Sequence, residues 1–165
     1  MKRQVWGLCC MAGLLATLSQ SGTAQERSSE ADKTAIRDVA DAITAAEARG
    51  DFDAFMSFHT DDVLIMPPDQ PVVVGKEAFR SSLRPFFEQF TLEETLSYSD
   101  LRVAGDWAVG TYTYAFTTTP KTGGGPSREV GKGVMLFRRM GDGSWKVSQA
   151  VWNRDDAPLP SALDK

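Results

Sequence analysis

A chain of 165 residues can build one domain with a real core, and its 42% hydrophobic and 24% charged content is ordinary for a water-soluble globular fold. The formal net charge is −4, and it grows more negative if Lys2 and Arg3 leave with a leader. That argues against nucleic acid and against an anionic membrane surface as partners, since both reward a basic face.

Lys2 and Arg3 open the chain with positive charge, residues 5–18 form an apolar run, and Gly22-Thr23-Ala24 then offers small residues. This is the grammar of a secretory signal peptide, and the run falls short of a comfortable bilayer span. The expectation is export to the periplasm or the extracellular space, with cleavage near Ala24 and no membrane attachment afterwards. Both cysteines, Cys9 and Cys10, lie within this leader. Leu8 before Cys9 does not suit a lipid-modification site. A mature chain without cysteine has no disulfide, no thiolate metal site and no cysteine nucleophile.

Residues 25–33 are polar and suggest a flexible tail. Ile36, Val39, Ala40 and Ile43 then recur at helical spacing, and Gly50 ends that helix. Asp51 is placed to cap a second helix lined by Phe52, Phe55 and Phe58. Val63-Leu64-Ile65-Met66, bounded by Pro67-Pro68, reads as a strand, and Val72-Val73-Val74 as another. Residues 76–90 return to helical spacing, with Pro85 expected to kink or split the helix. Four long strands follow near 93–104, 107–119, 128–139 and 144–154, separated by glycine-containing turns. Three helices followed by a meander cannot be a doubly wound parallel sheet.

This order resembles the nuclear-transport-factor-two-like superfamily of cone-shaped α+β barrels. The phrases Ala48-Arg49-Gly50-Asp51, Asp61-Asp62-Val63-Leu64-Ile65-Met66-Pro67-Pro68, Val74-Gly75-Lys76-Glu77-Ala78-Phe79, Gly131-Lys132-Gly133 and residues 137–147 with Trp152-Asn153 are similar to SnoaL-like domains of unknown function. The resemblance covers about residues 34–157 and leaves 158–165 as a C-terminal tail. It implies an α+β fold, a cone-like, strongly curved and mostly antiparallel sheet wrapped around three N-terminal helices. Fold alone does not fix the chemistry on this scaffold. The steroid isomerases among its members need a tyrosine, a carboxylate base and a second acid. Counting from Gly50-Asp51, these positions fall on Ile43, near Pro67 and near Val134, so that chemistry does not carry over.

No catalytic residue is assignable from the sequence. His59 is the only histidine, which makes a zinc site improbable, and no cofactor motif is present. His59 itself is expected to be structural. Glu93-Glu94 and Asp155-Asp156 are sequence neighbours that point to opposite faces if extended. Alternation groups Tyr112, Tyr114 and Phe116 on one face, and Val130, Lys132, Val134 and Leu136 on another. With Trp152, the walls of an apolar pocket are expected to be Tyr112, Tyr114, Phe116, Lys132, Val134, Leu136 and Trp152, and Trp145 to point the other way. Lys132 either pairs with a ligand carboxylate or enolate, or snorkels to water.

Three functions stay open. The first is an exported binder of a small apolar or carbonyl-containing molecule. The second is an isomerase, cyclase or dehydratase on such a compound, which a buried acid or base meeting Lys132 or Tyr114 would favour. The third is a protein-interaction module. Apolar residues on both faces of the last strand suggest a homodimer through the sheet.

Overall fold

A computed structural model describes residues 17–155, with side chains from residue 29. Most of the expected leader (residues 1–16) and the tail 158–165 lie outside the described residues. Three helices precede four long strands. The elements are α1 (Thr17–Ala48), α2 (Phe52–Ser57), β1 (His59–Met66), β2 (Val73–Val74), α3 (Lys76–Gln89), β3 (Phe90–Ala104), β4 (Trp107–Pro120), β5 (Ser127–Arg139) and β6 (Trp145–Arg154). The six strands form one curved, unclosed sheet in the order β2-β1-β6-β5-β4-β3, and only the β1–β6 pairing is parallel.

α1 runs through residues 25–33, where the polar composition suggests a loose tail. Asp32 explains why this turn is held. Its carboxylate takes two hydrogen bonds from Arg139, at 2.7 and 2.6 Å, and the same guanidinium lies 4.4 Å from the Trp145 ring centroid. The Arg139 hydrogen bonds hold the Asp32 carboxyl below its usual range. At its other end α1 stops at Gly50, whose φ of 66° suits a left-handed residue, with Asp51 N–H reaching back to the Ala46 carbonyl at 2.9 Å. Asp51 then caps α2 by accepting from Ala54 N–H at 3.1 Å. Of the kink or split expected at Pro85, the split does not occur, because α3 runs through it from Lys76 to Gln89.

α2 and α3 pack an aromatic cluster against β1. Phe55 lies 5.3 Å from Phe87, 6.0 Å from Phe79 and 4.8 Å from His59. His59 opens β1 rather than ending α2, because α2 already closes at Ser57. It is 5% exposed, and its Nδ1 lies 3.0 Å from the Phe55 carbonyl. Burial pushes its pKa down to about 4. It is therefore a neutral core aromatic. The unfolded chain takes up a proton near the ordinary 6.5, so this residue costs stability as pH falls from there towards 4.

Cross-strand register fixes the inner face of the sheet. From one end to the other, its rows are Glu94, Phe116 and Glu129; Leu96, Tyr114, Gly131 and Arg154; Tyr98, Tyr112, Gly133 and Trp152; Leu101, Gly110, Met135 and Ala150; and Val103, Ala108, Phe137 and Val147. The last rows are sealed, with Phe137 at 0% and Val147 at 1% exposure. Phe116, Glu129 and Trp152 are only partly covered, so the cone opens at the Glu129 end.

Candidate functional site

Glycines shape the interior. Tyr98 lies over Gly110, Tyr112 over Gly133 and Tyr114 over Gly131. A Cβ on Gly133 would stand 2.6 Å from the Tyr112 hydroxyl, and one on Gly110 2.6 Å from the Tyr98 ring. The missing side chains let three phenol rings lie against the sheet in a row. Tyr98 and Tyr112 have centroids 5.9 Å apart, and Tyr112 and Tyr114 6.4 Å. Tyr98 donates to the Met135 sulfur at 3.6 Å, and Tyr114 donates to Glu129 Oε1 at 2.5 Å. Arg154 Nε meets the other Glu129 oxygen at 2.8 Å, and its Nη1 lies 3.9 Å from Asp69. Burial pushes the hydroxyls of Tyr98, Tyr112 and Tyr114 above the usual phenol range, so all three stay protonated donors.

Two carboxyl groups face each other beside these rings. Glu47 comes from the last turn of α1 and Glu94 from the inner face of β3. Glu47 is 8% exposed, and its Oε2 has no hydrogen-bond partner. Burial raises its pKa well above the usual carboxylate range, and the neighbouring Glu94 raises it further. The partial negative charge at a helix C-terminus works in the same direction. Burial also raises Glu94, while a hydrogen bond from Glu47 partly offsets that. The two carboxyls therefore titrate together, with the proton favoured on Glu47. Among the described residues no lysine or arginine forms an ion pair with either. The arrangement can take a proton from one atom of a bound molecule and return it to another.

The sequence-derived pocket list divides between the two faces. Tyr112, Tyr114, Phe116 and Trp152 are inward, as alternation suggests. Lys132, Val134 and Leu136 are not. They pair with Thr113, Thr111 and Val109 on the outer face, and Lys132 is 59% exposed and ion-paired with Asp155. Gly131, Gly133, Met135 and Phe137 hold the inner positions of β5 instead. Trp145 also departs from expectation. Leu136 pairs with Gln149 but Phe137 pairs with Val147, so Ser148 is an extra residue in β6. This bulge resets the alternation and turns both Trp145 and Trp152 inward. Glu47 and Glu94 were absent from the expected list. Each continues an apolar stripe, Glu47 after Ile36, Ala40 and Ile43, and Glu94 between Leu92 and Leu96.

Fold and site together define a cone-shaped α+β domain of the nuclear-transport-factor-two-like class. The chain belongs to the SnoaL-like domain family, which matches residues 36–152. A conserved protein from Planctomyces limnophilus superposes with a TM-score of 0.70 at 24% identity, covering 76% of this chain and 98% of that one. A ketosteroid isomerase-like protein from Erwinia carotovora atroseptica gives 0.66 at 24% identity, covering 75% and 96%. A nuclear transport factor 2-like superfamily protein from Salmonella enterica gives 0.65 at 13% identity, covering 77% and 93%. These likenesses establish the fold. A search of curated protein sequences finds no match.

Proposed function

We propose that this domain catalyses proton transfer on a small, mostly apolar carbonyl compound, in the manner of an isomerase or dehydratase, with Glu47 and Glu94 as the acid–base pair. The observation that carries this reading is the buried carboxyl pair itself, with one unpartnered oxygen, set beside three protonated tyrosines. A plain core has no use for such a pair, because each buried carboxyl costs desolvation. Strongly shifted carboxyls in a partly open cleft are what acid–base chemistry near neutral pH requires. Tyr112, two rows further along the same inner face, is a protonated donor for a developing enolate oxygen. Trp152 and Phe116 supply apolar wall at the open end. SnoaL-like and related folds commonly bind small molecules or act as isomerases or dehydratases, which agrees with this reading.

The test is proton exchange at the carbon next to a carbonyl. Simple cyclic ketones such as 2-indanone and cyclohexenones are incubated with the protein in heavy water and followed by NMR. The protein is expected to accelerate deuterium uptake. Glu94→Gln is expected to reduce that acceleration by roughly 10²-fold or more. Exchange no faster than in buffer, or equally fast in the variant, would contradict the catalytic role and leave a binding protein.

The outer face of β4, β5 and β6 carries Val109, Val130 and Val151, each 37–39% exposed, with Val134 and Leu136 between them. We assign this stripe to a homodimer through the sheet. Light scattering that shows only monomer at high concentration would overturn that assignment.

A further inference from the structure

The charge of the interior bears on what it holds. Three acids face inward on the sheet and α1: Glu47, Glu94 and Glu129. The cation at the mouth, Arg154, is already engaged by Glu129 at 2.8 Å and lies 3.9 Å from Asp69. Lys132 points outward to Asp155. Among the described residues, no lysine or arginine forms an ion pair with Glu47 or Glu94. A carboxylate ligand would therefore meet like charge and no compensating partner. The unpartnered Glu47 Oε2, in a residue only 8% exposed, lacks a donor. Tyr98, Tyr112 and Tyr114 form a row on the same inner face, with centroids 5.9 and 6.4 Å apart, and aromatic faces attract cations.

We infer that the molecule bound in this cone presents a protonated primary or secondary amine to Glu47 and Glu94, with the tyrosine faces enclosing the nitrogen. An ammonium group supplies the N–H donor that Glu47 lacks, carries the charge that the acids favour, and lies on the aromatic faces. A neutral alcohol supplies only the first of these, and a carboxylate none. The inference rests on the reading of this interior as a small-molecule site and concerns binding alone. It also fixes a proton balance. The groups facing the pair are each other, Tyr98 and Tyr112 on β3 and β4, and Asp41 on α1, which acts on Tyr98. An arriving ammonium displaces the shared proton to solvent, so amine affinity rises with pH until the pair has lost that proton.

Isothermal titration of the full chain with benzylamine, benzyl alcohol and phenylacetate tests this, in phosphate and in HEPES across pH 7–8. Benzylamine is expected to bind most tightly and to release a proton, seen as a heat that depends on the buffer. Its affinity should rise by up to roughly tenfold per pH unit. Glu94→Gln should weaken benzylamine by about tenfold or more and leave benzyl alcohol unchanged. Phenylacetate or benzyl alcohol binding as tightly as benzylamine would overturn the inference. So would no benzylamine binding at millimolar concentration, or amine binding without proton release. If ketone exchange fails while benzylamine binds as described, the catalytic reading fails and this one stands. If exchange succeeds while phenylacetate is preferred, the reverse holds.

Discussion

Glu47→Gln is expected to make the folded protein more stable at neutral and alkaline pH while removing its proton-transfer activity. Glu47 has a folded-state pKa raised above the ordinary 4.5, mainly by burial and then by Glu94. The native state therefore holds a proton that the unfolded chain has released. Such a group stabilises fully only below the unfolded value, and that contribution is lost as pH rises through the folded one. A glutamine keeps the shape, carries no proton to lose, and donates its amide N–H to Glu94. The gain at pH 8 should be about 1–3 kcal/mol, the usual cost of an unsatisfied buried polar group. It should shrink towards zero near pH 4. His59 contributes with the opposite slope between about 4 and 6.5, and it does so equally in both proteins. Denaturant unfolding across pH reads the difference directly. A variant that is less stable than the parent at every pH would show that Glu47 serves the fold.

The second large effect concerns the glycine platform. Gly133→Ala should cost about 3 kcal/mol, at the upper end of ordinary overpacking penalties. Its Cβ would stand 2.5 Å from the Val151 carbonyl oxygen and 2.7 Å from the Tyr112 ring carbon Cζ. The carbonyl belongs to the paired strand β6 and cannot swing aside as a flexible side chain does. Gly125→Ala is the control, because nothing lies within 4 Å of its Cβ position. Combining Gly133→Ala with Tyr112→Ala should cost less than the sum of the two, since the removed ring accounts for part of the clash. Additive losses, or a Gly133→Ala protein as stable as the parent, would mean that the tyrosine does not lie over this glycine.

The same platform explains which parts of the site were legible in the sequence. The helices, the strand order and the turns follow from spacing and from glycine positions such as Gly50, and the expected segments lie close to the observed ones. In β4 the aromatics Tyr112, Tyr114 and Phe116 mark the inner face directly. In β5 the alternation misleads. Val130, Val134 and Leu136 are the more apolar alternating set, yet the inner face belongs to Gly131 and Gly133, which carry no hydrophobic signal. Those positions are glycine because the tyrosine rings of the neighbouring strand occupy the space. Alternation in β6 fails at Ser148, a bulge that shows only in the pairing register.

Glu47 and Glu94 illustrate a different limit. A carboxylate within each apolar stripe was visible, but nothing along the chain joins a residue of the first helix to one of the first long strand. The fold brings the two together because α1 lies across β3, and the missing counter-charge then becomes apparent.

The shared proton is the centre of this account, and carboxyl titration measures it most directly. With glutamate labelled at the side-chain carboxyl carbon, NMR follows each group against pH, and Glu47→Gln and Glu94→Gln identify the two resonances. One of the pair is expected to keep its proton well above the ordinary carboxylate value of 4.5, and removal of either partner to change the titration of the other. Two independent titrations near 4.5 would contradict it.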